Sequence, residues 1–94
     1  LSASAQAYIF FPGGYGTIDE FFEMVMLIQT QKVEKVPIVC VGTEFWTGLD
    51  NWIRDTMFNK MSLIDPVDLD LYKIVNSAED AFELVKDSKE RKYF

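Results

Sequence analysis

Histidine is absent from this 94-residue chain, and cysteine occurs once, at Cys40. The missing histidine excludes a Ser-His-Asp triad, a Cys-His pair and every histidine-ligated metal site. A single cysteine cannot form an intrachain disulfide bond, so the cysteine content gives no indication of a secreted protein. We therefore expect a cytoplasmic protein in which Cys40, placed among valine and isoleucine residues, is a buried and inert thiol.

Positive charge is scarce, with nine Lys and Arg against fifteen Asp and Glu and a formal net charge of −6. Proteins that bind duplex nucleic acid normally carry the opposite sign, so we expect no nucleic-acid partner. Apolar runs are much shorter than the roughly 20 residues that span a bilayer, so we expect no membrane partner either. The chain length suits one small domain.

Short apolar runs alternate with helical spacings of apolar residues, which predicts an α/β domain with a Rossmann-like parallel sheet flanked by helices. The predicted order is β-α-β-α-short α-β-α. Strands are expected at residues 7–11, 36–41 and 74–75, and helices at residues 17–31, 44–61, 65–72 and 78–85. Sequential strands joined by helices require right-handed crossovers.

Capping residues mark two of the predicted helix starts. Asp65 precedes Pro66, and Ser77 stands three residues before Asp80, so Asp65 and Ser77 are the expected N-caps. The second helix is expected to turn five large side chains inward: Phe45, Leu49, Trp52, Ile53 and Met57. We predict a frayed tail over residues 86–94, where the sequence becomes basic and polar.

The first residue is Leu1, and no signal-peptide pattern follows it. Three strands also make a small open sheet, with at least one edge that needs covering by other chain or by a partner. Both observations lead us to expect that residues 1–94 are a partial domain and a fragment of a longer protein.

One segment, residues 11–20, has the features of a ligand-binding loop. It places three glycines, Gly13, Gly14 and Gly16, between the first strand and the first helix. Ligands of open α/β sheets bind at this end of the strands, and a glycine-rich turn before a helix favours phosphate. Residues 1–31 contain no Lys or Arg, so this segment supplies only backbone N–H groups and the Thr17 hydroxyl to an anion.

A structural explanation of the same residues is equally open. Thr17 and Glu20 have the spacing of a capping box, in which Thr17 caps the helix and Glu20 accepts a hydrogen bond from the Thr17 N–H. Asp19 and Glu20 would also favour the helix N-terminus electrostatically. Tyr15 could stack on a base or simply cover the loop.

The segment Pro12-Gly13-Gly14-Tyr15-Gly16-Thr17-Ile18-Asp19-Glu20 fits the pattern PGGxGTxxE. It resembles the signature of the Lonely Guy (LOG) family, many of whose members carry the older label "lysine decarboxylase-like". Residues 27–30, 36–39 and 45–46 also look like bacterial members, and the resemblance covers about residues 5–85.

The resemblance implies a Rossmann-like fold and a nucleoside 5′-monophosphate phosphoribohydrolase, which releases a free base and ribose 5-phosphate. Glu20 matches the family's catalytic glutamate and would contact the ribose. The substrate's 5′-phosphate would be held by Gly13, Gly14, Gly16 and Thr17. The resemblance implies a homodimer and needs no cofactor. Decarboxylation fits poorly, because the signature contains no pyridoxal-type lysine and Lys32 lies beyond the loop.

Two departures qualify the resemblance. Family members bring an Arg from a segment upstream of the strand before this loop, and residues 1–94 do not include such a segment. Met26 stands where many relatives have Thr. We expect the fragment to be inactive alone and the longer protein to be the enzyme. The alternative is a nucleotide-binding module of the same superfamily without catalysis.

Overall fold

The computed structural model describes residues 7–87 and 92–94, and a four-stranded sheet forms the centre of that part of the chain. The strands lie in the order β3-β2-β1-β4, and each neighbouring pair is parallel. The predicted α/β fold is therefore confirmed. The strands are β1 (Tyr8–Phe10), β2 (Ile38–Val41), β3 (Lys73–Val75) and β4 (Lys92–Tyr93).

Helices cover both faces of the sheet. On one face, α1 and α2 bury Tyr8, Phe10 and Cys40, while α3 covers Ile9 and Val39 on the other. This division follows from the strand geometry, because successive side chains point to opposite faces. The helices are α1 (Tyr15–Gln29), α2 (Thr43–Trp52), a π-helix (Ile53–Lys60) that continues α2, a 3₁₀-helix (Pro66–Asp70) and α3 (Ala78–Val85).

The strand β4 was not predicted, because residues 92–94 were assigned to a frayed tail. In the structure the Phe11 N–H donates to the Phe94 carbonyl oxygen at 2.7 Å, and the Phe94 N–H donates to the Ile9 carbonyl oxygen at 2.6 Å. The Phe94 ring also stacks on Phe10 with centroids 4.8 Å apart. These residues cover the otherwise open edge of β1. Residues 88–91 of the predicted tail lie outside the described residues.

The second predicted helix differs from the structure in type and in orientation. Only residues 43–52 are α-helical, and a π-helix continues to residue 60. Trp46 is fully buried against Phe10 and Phe21, whereas Phe45 and Trp52 are exposed, so the inward placement of these two side chains was wrong. Phe45-Trp46 and Trp52-Ile53 both put two large apolar side chains side by side, so periodicity alone does not choose between adjacent helix faces.

The two predicted caps are confirmed. Asp65 is the N-cap of the 3₁₀-helix with Pro66 first inside it, and the Ser77 hydroxyl accepts a hydrogen bond from the Asp80 N–H at 3.1 Å. Among the described residues, no helix has both the length and the apolar character that a membrane span requires.

Candidate functional site

The direction of the chain through the sheet reverses next to β1. The chain moves from β1 to β2 to β3 with α1 and α2 on one face, and then returns past β1 to β4 with α3 on the other. The carboxyl ends of β1 and β4 therefore form the topological switch point, where open α/β sheets bind their ligands. Gly13 and Gly14, directly after β1, lie at this position.

The start of α1 shows that the capping-box interpretation of Thr17 and Glu20 was wrong. Helix α1 begins at Tyr15, and its N-cap is Gly14 in an extended conformation, with no side-chain cap. Thr17 is the third helical residue and Glu20 the sixth, so neither stands where a capping box requires it. The first turn contains no acidic residue, so Asp19 and Glu20 do not act on the helix terminus there.

Gly13 and Thr17 are packed against each other within the loop. A Cβ atom at position 13 would lie 3.0 Å from the Thr17 Cβ and would overlap the Thr17 hydroxyl. Only glycine therefore allows this approach. The contact brings the Thr17 hydroxyl close to the backbone of the loop, so that a bound anion could accept hydrogen bonds from the hydroxyl and from the backbone N–H groups.

The other glycines of the loop leave space in front of the helix. A Cβ at Gly14 or at Gly16 would meet nothing within 4 Å, and the Tyr15 side chain is 96% exposed. Tyr15 therefore does not cover the loop. The first N–H groups of α1 have no intrahelical acceptor and carry a partial positive charge, which suits an anion.

Glu20 lies on the flank of α1 that faces away from α2. Phe21 and Met24 point to the core, and Phe22 and Val25 line an apolar groove of about 220 Å³ against the π-helix. Successive helical residues are about 100° apart, which places Glu20 on the opposite flank, on the β1–β4 side of the sheet. Thr17 is one turn earlier on the same face, so the two side chains are neighbours.

Two further loops meet the same edge, and sequence analysis did not single them out. Gly42 follows β2 with φ +105°, and its N–H donates to the Val75 carbonyl oxygen at 2.8 Å. The hydroxyl of the next residue, Thr43, donates a hydrogen bond to the Asn76 side-chain oxygen at 2.8 Å. A Gly-Thr pair directly after a buried strand was the signal that could have revealed the second loop.

No cation from the described loops faces this edge. Residues 11–17, 42–46 and 76–80 contain no Lys or Arg, and Asp19, Glu20 and Glu23 add negative charge nearby. The part of the chain that the structure describes also brings together no group of His, Cys, Asp and Glu residues able to hold a metal ion. The site thus offers backbone N–H groups, hydroxyls and a carboxylate.

Titratable groups around Asp50 and at Cys40 serve packing. Asp50 accepts hydrogen bonds from the Tyr72 hydroxyl at 2.6 Å and from Arg54 Nε at 2.9 Å, which joins α2 to the residues before β3. Burial, and to a smaller extent the charge of Asp50, raises the pKa of Cys40, so the thiol stays protonated at neutral pH, as an inert cysteine should. Lys32 follows the carboxyl end of α1, at the opposite edge of the sheet from the glycine loop.

These features describe an α/β domain whose glycine loop lies at the switch point of the sheet. The family model described as "Possible lysine decarboxylase" matches residues 1–85. The chain therefore belongs to this LOG-like family, as its glycine segment suggested. No curated protein matches the chain.

Proposed function

We propose that this protein is a nucleoside 5′-monophosphate phosphoribohydrolase, which cleaves the N-glycosidic bond of AMP or of a cytokinin-type nucleotide. The 5′-phosphate would bind the backbone N–H groups around Gly14 and Gly16, together with the Thr17 hydroxyl. Glu20, one turn further along α1, would then face the ribose. Membership of the LOG-like family and the position of the loop at the switch point support this assignment.

The observation that carries the proposal is the uncapped start of α1. Because Gly14 is the N-cap, the Thr17 hydroxyl and the Glu20 carboxylate are not engaged in capping the helix. The half-buried Glu20 also forms no ion pair that the structure records among residues 7–87 and 92–94. A carboxylate placed beside an anion site is unfavourable for the anion, and it becomes useful beside a centre that develops positive charge.

Hydrolysis of the glycosidic bond produces such a centre. The bond between C1′ and the base nitrogen breaks, the base leaves with the electron pair, and the ribose passes through an oxocarbenium-like state. Glu20 would either stabilise that charge or orient the water whose oxygen forms the new bond to C1′. The water's proton balances the charge on the departing base, so no redox partner is needed.

Decarboxylation of lysine, the activity in the family's description, has less support. It normally requires a cofactor-binding lysine close to the substrate. Lys32 and Lys35 precede β2, and Lys73 begins β3, so these lysines lie toward the amino ends of the strands. The glycine loop lies at the carboxyl ends.

A nucleotide-binding module without catalysis is the alternative. The absence of Lys and Arg from residues 11–17, 42–46 and 76–80 favours this alternative, because no positive charge from these loops stabilises the departing base. A homodimer, in which two copies complete each other's site, would remove that difficulty. The exposed apolar side chains of Met26 and Trp52 are suited to such a contact.

Incubation of the full-length protein with AMP separates these possibilities. The phosphoribohydrolase releases equimolar adenine and ribose 5-phosphate, detectable by chromatography. A binding module gives heat on titration with AMP, with much weaker binding of adenosine and no products. Equal binding of AMP and adenosine would contradict the phosphate site itself. Sedimentation velocity on the same samples measures whether a dimer forms.

A further inference from the structure

Gly42 lies against Pro12, which directly precedes Gly13, although 30 positions separate Gly42 from Pro12 in the chain. A Cβ atom at position 42 would lie 3.2 Å from the Pro12 Cγ and 3.7 Å from its Cδ. The pairing of β1 with β2 explains the contact. Phe10 pairs with Cys40, so Pro12 and Gly42, each two residues further along, lie side by side just beyond the strands.

The backbone of Gly42 is held from two other directions. Its N–H donates to the Val75 carbonyl oxygen at 2.8 Å, and its carbonyl oxygen accepts from the Phe45 and Trp46 N–H groups at 3.1 Å each. These bonds attach Gly42 to β3 and to the first turn of α2. Pro12 is exposed and belongs to an open loop. A side chain at position 42 would therefore displace Pro12 more readily than it would displace Gly42.

Gly42 also adopts φ +105°, a conformation that side chains rarely allow. The positive φ and the contact with Pro12 are separate requirements. A side chain that strains the backbone at position 42 lowers the stability of the whole fold. A side chain that pushes on Pro12 moves Pro12 and, through the peptide bond, Gly13. Since Gly13 is already packed against Thr17, a shift at Pro12 passes directly to the groups that would hold a phosphate.

We propose that Gly42 is a positioning residue for the phosphate-binding loop, acting through Pro12. The inference rests on the proposed function for its consequence in ligand binding, but the loop's position is measurable without a ligand. Gly42 thereby couples the end of β2 and the start of α2 to residues 12–17.

The test uses isotope-labelled protein and the amide resonances of Gly14 and Gly16, without ligand. Gly42→Ala is expected to shift both resonances. Gly42→Asn should do the same with less backbone strain, because Asn tolerates positive φ better than Ala. Gly48→Ala, within α2 and facing open space, is the matched control and should leave them unchanged. In Pro12→Ala/Gly42→Ala the resonances should return to those of Pro12→Ala, because the tight contact with the Pro12 ring is gone.

Binding of ribose 5-phosphate supplies the second readout. We expect Gly42→Ala to lose about tenfold in affinity and Pro12→Ala/Gly42→Ala to recover most of it, while the lowered Tm of Gly42→Ala persists in the double variant. A merely structural glycine would show no such recovery. Unchanged Gly14 and Gly16 resonances in both Gly42 variants, or strictly additive effects of Pro12→Ala and Gly42→Ala, would overturn the positioning role. Failure of the wild type to bind ribose 5-phosphate, with the resonance shifts intact, would instead refute the proposed function alone.

Discussion

The Thr17 hydroxyl occupies the space that a side chain at position 13 would need, and no other residue type fits there without moving Gly13 or Thr17. This contact joins the turn after β1 to the third residue of α1. It keeps the loop's backbone close to a hydroxyl that the helix does not use as a cap.

Gly13→Ala is therefore expected to displace the loop and to weaken ribose 5-phosphate binding by roughly tenfold or more. Gly48→Ala, within α2 and away from the loop, is the matched control, because its Cβ meets nothing within 4 Å. Calorimetric titration of both variants measures the difference. Equal affinities for the two would show that the Gly13–Thr17 contact does not shape the site.

Glu20→Gln tests the proposed catalytic role. In the proposed reaction the change removes the charge opposite the oxocarbenium-like centre, and we expect turnover of AMP by the full-length protein to fall about 100-fold or more. Stability should hardly change, because Glu20 does not cap α1. Asp19→Asn, one residue earlier and exposed, should keep near-normal turnover. Release of ribose 5-phosphate is the measurement, and full activity in Glu20→Gln would remove Glu20 from the reaction.

Ser77→Ala and Thr17→Ala should differ in stability. Ser77 accepts a hydrogen bond from the Asp80 N–H and caps α3, so its loss should lower the free energy of unfolding by about 1 kcal/mol. Thr17→Ala removes no cap, and the higher helix propensity of alanine offsets part of any lost packing. Urea denaturation of the two variants gives the comparison. A larger loss in Thr17→Ala would restore the capping explanation of the loop.

Tyr72 makes the protein's stability sensitive to alkaline pH. Burial first, and then the hydrogen bond to Asp50, raises the pKa of Tyr72 above its ordinary value of 10.0. Above about pH 10 the unfolded chain loses this proton while the folded chain keeps it. The stability contribution is therefore complete below about pH 10 and declines as the pH rises further.

Thermal melts from about pH 8 to 11 should show a smaller alkaline decline for Tyr72→Phe than for the wild type. Cys40→Ala, melted in parallel, accounts for the thiol, whose pKa is raised by burial and by Asp50. At neutral pH, Tyr72→Phe should lose roughly 1.5–3 kcal/mol, because the hydroxyl bonds a carboxylate. Parallel pH profiles for the wild type and Tyr72→Phe would contradict the raised pKa.

The strands and two helix starts were predictable because their causes are local. Apolar runs define β1 and β2, and Ser77 with Asp80 forms a cap within four residues. The start of α1 was not predictable from the Thr17–Glu20 spacing, because the conformation of Gly14 decides it and glycine carries no conformational signal of its own.

The remaining differences depend on contacts between distant residues. The strand β4 has two residues, and its pairing with Ile9 and the stacking of Phe94 on Phe10 stabilise it. For the site, the glycine pattern singled out the first loop, which the structure places beside the switch point of the sheet. The Gly-Thr pair after β2 was the one local signal for the second loop, and the contacts that bring Gly42 and Asn76 together depend on strand register.

The rate at which a thiol reagent labels the buried Cys40 reports on opening of the protein's core. Cys40 is the chain's single cysteine, it is 0% exposed, and it sits in β2 between β1 and β3. A thiol reagent therefore reaches it only when the helices that cover this face of the sheet move away, so the rate of labelling measures how often that packing opens. A ligand that binds the closed form slows labelling by the factor 1 + [L]/Kd. Affinity for any nucleotide can thus be read from one thiol, whether or not the protein turns that nucleotide over.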